Sequence, residues 1–287
     1  MLFGNMTNVT ENIEQNTLKD LDDFLNKSMK AKTNVRIKGE NRYKEANNVF
    51  CGEEGSRTLD NFIHWLEYWN LSNTLIGTSC SWRTMNQNVI NDNAYIIRKV
   101  LEKGLGIING GALGGDWISN EIVLKEGNPI NQLRIVLPVN RFVYMERFYN
   151  VLEKNLVNRT QADSLVNQLK YIDQNFPWII FDKTHFDEKK FLEPENDEYR
   201  KNCYHFRDGL VAYGCDGLTA LWINASRGVE DTIKRNKFMK KPLITMSYTI
   251  DPDSEENIKY FESLIIPNLK SNYPLEDKSS AIQTRSI

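Results

Sequence analysis

The sequence predicts an α/β fold: a Rossmann-like three-layer domain with a mostly parallel sheet of about five strands, plus a helical N-terminal arm and a helical insertion. Three observations predict it. Short apolar runs alternate with stretches of helical periodicity, the pattern of strand-then-helix units joined by right-handed crossovers. Four glycines, Gly110, Gly111, Gly114 and Gly115, gather at one strand-to-helix junction. A second strand, loop and helix series follows residue 198. The 287 residues, 40% hydrophobic and 26% charged, suffice for one sizeable domain plus an elaboration.

Residues 1–71 are expected to form the helical N-terminal extension. In it, Leu18, Leu21, Phe24 and Leu25 line one face of a helix over about 12–29, and Leu59, Phe62, Ile63, Leu66 and Trp69 one face of a second. Between them Lys30, Lys32, Arg36, Lys38, Arg42 and Lys44, interrupted by Glu40, are expected to make a solvated surface. The Rossmann-like domain takes 72–140 and 198–250. Its first strand, about 73–77, ends at Gly77-Thr78-Ser79, and Val89, Ile90, Ile96, Ile97, Val100 and Leu101 mark the following helix. The second strand runs into the glycines, with Ile118, Ile122 and Val123 at helical spacing after them, and the third covers 133–139. Residues 141–197 form an inserted helical lid or oligomerisation element, with helices expected at about 142–156 and 161–175. The second half predicts a helix at 197–213, a strand at 218–223, a polar loop at 224–228, a helix at 229–239 and a strand at 242–246. Residues 251–287 form a C-terminal helix, at about 255–264, and a tail.

Lys+Arg of 36 against Asp+Glu of 38 gives a net charge of −2, so the overall charge supplies no drive toward nucleic acid or an anionic membrane. No basic leader or membrane-length apolar run is evident, and a cytoplasmic protein is expected. Cys51, Cys80, Cys203 and Cys215 lie far apart and are expected as reduced thiols. Cys203 and His205 have no third ligand at metal-binding spacing, so no metal and no cofactor is expected.

Glycines at 110–115 let the backbone take positive φ and let another group approach the main chain. Unpaired N–H groups at the start of the next helix favour an anion such as phosphate. The alternative is a tight connection and nothing more, with Asp116 capping the helix. The pattern is neither Gly-x-Gly-x-x-Gly nor Gly-x-x-x-x-Gly-Lys. Ligands on parallel sheets bind beyond the carboxyl ends of the strands, where the loops at 77–81 and 110–116 converge.

Gly110-Gly111-Ala112-Leu113-Gly114-Gly115-Asp116 resembles the Gly-Gly-Ala-x-Gly-x-Asp signature of the SLOG superfamily, especially its YspA/YpsA-related branch. That superfamily includes the Lonely Guy phosphoribohydrolases and the Smf/DNA-processing protein A family. Ile76-Gly77-Thr78-Ser79 with Trp82 is similar to its first-strand element, Arg200-Lys201-Asn202 to its Arg-Asn element, and Ser226-Arg227-Gly228 with Thr232 to its second phosphate loop. Hydrolytic members carry a Glu where this chain has Thr232, and the Arg of the first-strand element is absent.

The resemblance implies binding of a nucleotide or nucleotide-derived small molecule as a sensor or regulatory module, in a homodimer. Its ligand residues would be Gly77, Thr78, Ser79, Gly110, Gly111, Gly114, Asp116, Arg200, Asn202, Ser226, Gly228 and Thr232. In this reading main-chain N–H groups hold phosphate or ribose oxygens, Arg200 neutralises charge and Asp116 accepts from a ribose hydroxyl. A second reading is an enzyme cleaving or transferring at an N-glycosidic bond, with Asp116, Glu121, Glu230 and Asp231 as candidate acids. A third, single-strand DNA binding of the DNA-processing type, is disfavoured by the near-neutral charge.

Overall fold

The computed structural model describes residues 8–28, 62, 66, 74–82, 84–150 and 157–251. The basic stretch at 30–44 and the helix expected at 255–264 lie outside the described residues, as do Arg83 and residues 151–156.

Among the described residues six strands, all parallel, build one sheet: β1 (Leu75–Cys80), β2 (Gly106–Asn109), β3 (Leu133–Val136), β4 (Ile180–Phe181), β5 (Gly217–Ile223) and β6 (Leu243–Tyr248). Their order is β4-β3-β2-β1-β5-β6. The chain therefore builds outward from β1 through β4, then returns to the other side of β1 to lay down β5. That reversal leaves a crevice between the carboxyl ends of β1 and β5.

Among the described residues, the helices of ten residues or more are α1 (Asn8–Ser28), α2 (Gln87–Glu102), α3 (Gly115–Glu126), α4 (Arg141–Asn150), α5 (Arg159–Asn175), α6 (Asp197–Gly214) and α7 (Arg227–Phe238). Successive strand residues point to opposite faces of a sheet, and both faces here are covered. Ile76, Ile107 and Ile135 enter one core with residues of α2, α3, α4 and α5 and with the helical residues Phe62 and Leu66. Their neighbours Leu75, Ile108 and Val136 enter the other core with residues of α1, α6 and α7. These are the three layers that the apolar runs predict.

The N-terminal arm is docked. Leu21 and Leu25 are fully buried, Leu18 and Phe24 pack beside them, and Thr17 Oγ1 donates to Thr184 O at 3.1 Å. The expected parallel sheet of about five strands is present with a sixth, Ile180–Phe181, which pairs with Ile135 and Val136. The segment 141–197 is thus a β3-α4-α5-β4 crossover as well as an elaboration, and a two-residue strand after Pro177 is too short to show a period. Thr78 and Ser79 also lie inside β1, where they pair with Thr219 and Ala220, and not in a loop after it.

Candidate functional site

A cavity of about 520 Å³ opens at the crevice where the chain reverses. Of the residues expected to bind ligand, Thr78, Ser79, Gly110, Asp116, Arg200, Ser226, Gly228 and Thr232 line it. Gly77, Gly111, Gly114 and Asn202 do not.

The glycines serve protein packing. A Cβ at Gly77 would press on Cys215 and Leu218 at 3.0 Å, and one at Gly111 would meet Ile135 and Leu137 at 2.7 Å. Gly111 and Gly114 have φ of +60° and +76°, the region that favours glycine. At Gly110 a Cβ would overlap the guanidinium of Arg207, which donates to the Gly110 carbonyl.

The loop N–H groups are also engaged. Asp116 Oδ2 accepts from Gly110 N at 3.1 Å and from Ala112 N at 3.2 Å, while Asn109 Oδ1 accepts from Gly111 N at 3.0 Å. Gly114, not Asp116, occupies the helix N-cap position. The loop is closed on itself by a carboxylate from the helix it leads into, which removes the expected use of the Gly110 and Gly111 N–H groups as a phosphate cradle. Burial pushes the Asp116 carboxyl up to about 6, although Arg207 and the two N–H donors oppose the shift.

The second loop follows β5. Asn224 and Ala225 have positive φ, and the Asn224 amide pairs reciprocally with the Ile250 main chain at 2.6 and 2.9 Å. Thr232 accepts from Ser79 Oγ at 3.4 Å and donates to Gly228 O at 3.0 Å. It joins β1 to α7 at the cavity wall.

The candidate acids separate. Glu121 is buried but faces α5, where it accepts from Gln168 Nε2 at 2.7 Å and pairs with Lys125 at 3.3 Å. Glu230 pairs with Lys234 at 2.5 Å, and Asp231 with Arg235 at 2.7 Å. None of the three lines the cavity, whereas Asp116 does.

Arg200 is buried and turned toward main chain. It donates to the carbonyls of Phe191, Glu193 and Pro194 and pairs with Asp197, so its donors are engaged although it touches the cavity. Asn202 is exposed on α6.

The remaining wall comes from residues that the motifs do not contain. Helix α6 contributes Tyr204, Arg207, Asp208 and Val211 on the face that also carries Arg200, and α4 contributes Tyr144, Arg147 and Phe148. Their three-, four- and seven-residue spacings were the available signal, since such residues share a helix face. Behind the α6 face, Cys203, Phe206 and Leu210 are buried in the cores. Residues two apart on a helix point away from each other, which separates Cys203 from His205 as a metal pair. Arg207 Nε lies 2.9 Å from Asp208 Oδ1 in an ion pair without hydrogen-bond geometry. Burial raises the Asp208 pKa as well. Tyr144 is buried and donates to Gly111 O at 3.3 Å, which ties α4 to the glycine loop. Cys80 lines the cavity as an unreactive thiol, since burial lifts its pKa to about 12.

His205, Asp208 and Asp231 place ligand atoms within 4.8 Å of one another. Arg207 lies 2.9 Å from Asp208 and Arg235 2.7 Å from Asp231, so both carboxylates already have a cationic neighbour. No helix among the described residues is long and apolar enough to cross a membrane. The chain matches no protein-family model, and searches of curated proteins and of solved structures find no match.

Proposed function

We propose that the chain binds a nucleotide or nucleotide-derived ligand in this cavity, as a sensor or regulatory module. The observation that carries the reading is the cavity's composition and place. It sits at the reversal of a parallel sheet, and five cationic side chains against three carboxylates line it together with Tyr144, Phe148 and Tyr204. Cationic groups beside aromatic faces suit a ligand with a charged end and a ring. A volume of about 520 Å³ falls within the usual range for small-molecule sites. The resemblance of 110–116 to the SLOG signature points the same way, and it extends the proposal to a homodimer, which sedimentation measurements test.

A thermal-shift panel of nucleoside mono-, di- and triphosphates, NAD, ADP-ribose and cyclic nucleotides tests the reading. A ligand at 100 times its dissociation constant raises stability by about 2.7 kcal/mol. Stabilisation with the ligand recovered intact supports a sensor. No stabilisation by any member of the panel overturns nucleotide binding.

One observation favours a second reading, N-glycosidic cleavage. Asp116 and Asp208 both line the cavity, and burial raises both of their pKa values. One protonated and one ionised carboxyl would serve as acid and base while water adds to the anomeric carbon and the base departs with a proton. Base release that disappears in Asp208→Asn supports this reading; recovery of all ligand intact overturns it.

A further inference from the structure

The cationic residues of the cavity are not equivalent. Arg200 and Arg207 direct donors at main-chain carbonyls and lie against Asp197 and Asp208. Lys201 and Arg227 are exposed, where water solvates them. Arg147, on α4, is only 5% exposed, and its Nε has no hydrogen-bond partner. Among the described residues its guanidinium makes no hydrogen bond or ion pair. Burial, and then the like charge of Arg200, depress its pKa, while Asp197, the carboxylate that favours its charge, is paired with Arg200 and 77% exposed.

A buried guanidinium with no counterion is unfavourable, because the interior does not replace the water it has lost. A site that must hold an anion keeps such a group, and the ligand then supplies the missing charge. The cavity wall offers a second unpartnered group in the buried hydroxyl of Thr78. The glycine loop, by contrast, has already given its Gly110, Gly111 and Ala112 N–H groups to Asn109 and Asp116.

The geometry points to Arg147 as the anchor for the ligand's anionic group, a phosphate monoester, held from helix α4 and not by the glycine-rich loop. Five cations against three carboxylates leave room for a dianion, and a planar guanidinium fork matches phosphate oxygens. The identity of the rest of the ligand rests on the nucleotide reading above; the anion subsite does not. The assignment also gives part of the 141–197 segment a role, since its first helix carries the charge that the cavity needs.

The test uses the full chain and the variants Arg147→Met and Arg147→Lys, with thermal shift and calorimetry against inorganic phosphate, malonate, AMP and adenosine. Wild type is expected to bind phosphate and to prefer AMP over adenosine by roughly tenfold to a hundredfold, the scale of a charge-assisted hydrogen bond. Arg147→Met loses that preference and the response to phosphate, and Arg147→Lys keeps part of both. Without ligand, Arg147→Met melts above wild type, because an unpaired buried charge has been removed. A lower melting temperature for Arg147→Met, or undiminished phosphate binding, overturns the proposal, as does a response to malonate equal to that to phosphate. Phosphate binding that depends on Arg147 with no binding of AMP or adenosine supports the subsite and overturns the nucleotide reading. AMP binding unchanged in Arg147→Met does the reverse.

Discussion

The guanidinium of Arg207 occupies the space that a side chain at Gly110 would fill, and it donates to the Gly110 carbonyl from a residue almost a hundred positions later. One contact thus joins the first half of the domain to the second at the edge of the cavity. Arg207 also lies against Asp208, and Asp116 feels its charge, so the position of this guanidinium fixes both carboxylates of the site.

Gly110→Ala is expected to displace Arg207 and to destabilise the protein by about 1–3 kcal/mol, the usual range for overpacking a filled interior. Ligand affinity should fall with stability. Because the two side chains compete for one space, Gly110→Ala combined with Arg207→Ala should lose less than the sum of the single changes. Urea denaturation of the four proteins checks this; strict additivity would mean that the guanidinium has room to move aside.

A second link runs from α5 to the glycine loop through buried amides. Gln168 Nε2 donates to Glu121, Asn120 Nδ2 donates to Gln168 Oε1 at 3.1 Å, Asn109 Nδ2 donates to Asn120 Oδ1 at 2.8 Å, and Asn109 Oδ1 holds Gly111 N. Gln168→Leu strands the Asn120 donor, at about 1–3 kcal/mol for the unsatisfied group, and leaves the Glu121 carboxylate with Lys125 as its partner. The measurement is hydrogen exchange. The Gly111 amide should lose protection in Gln168→Leu by more than the global loss of stability accounts for.

The layers were legible because they rest on local patterns. Ile96, Ile97 and Val100, or Ile118, Ile122 and Val123, repeat at helical spacing wherever the helix packs, and all are buried. The site was only half legible. Glycine clustering marked the junction at 110–115, but it did not show that Arg207, Cys80 and the main chain of Ser81, rather than a ligand, fill the space the glycines leave. Asp116 carries no local sign that it bonds back to its own loop. Arg147 lies outside every motif, and which face of α4 meets the cavity depends on how the crossover to β4 packs. Nonlocal placement decides such residues, and periodicity does not report it.

Arg200, assigned to charge neutralisation in the sequence, holds the segment before its own helix. Its contacts are three main-chain carbonyls and an Asp197 that is 77% exposed, so the ion pair contributes little and the carbonyl bonds dominate. Arg200→Ala should destabilise by roughly 2–3 kcal/mol by leaving those carbonyls unmet. Arg227→Ala, at an exposed position on the same cavity, should leave stability within about 0.5 kcal/mol. Chemical denaturation separates the two, and an unfolding midpoint for Arg200→Ala equal to wild type would return that side chain to ligand binding.

Asp116 makes stability depend on pH in a defined direction. Its carboxyl ionises at an ordinary value of 3.8 in an unfolded chain and at about 6 in the folded one, where burial outweighs Arg207 and the N–H groups of Ala112 and Gly110. The folded state therefore holds a proton that the unfolded state releases across this window. The contribution of Asp116 is complete below 3.8 and disappears as pH rises through about 6. Asp116→Asn keeps an amide oxygen for the two loop N–H groups and removes the titration. Glu121 and Asp208 also have raised pKa values, so the informative quantity is the difference between wild type and Asp116→Asn. Measured by urea denaturation from pH 4 to pH 7, the stability of Asp116→Asn relative to wild type should rise with pH and level off above about 6. A difference constant across that range would mean that the carboxylate is ionised throughout, held so by Arg207.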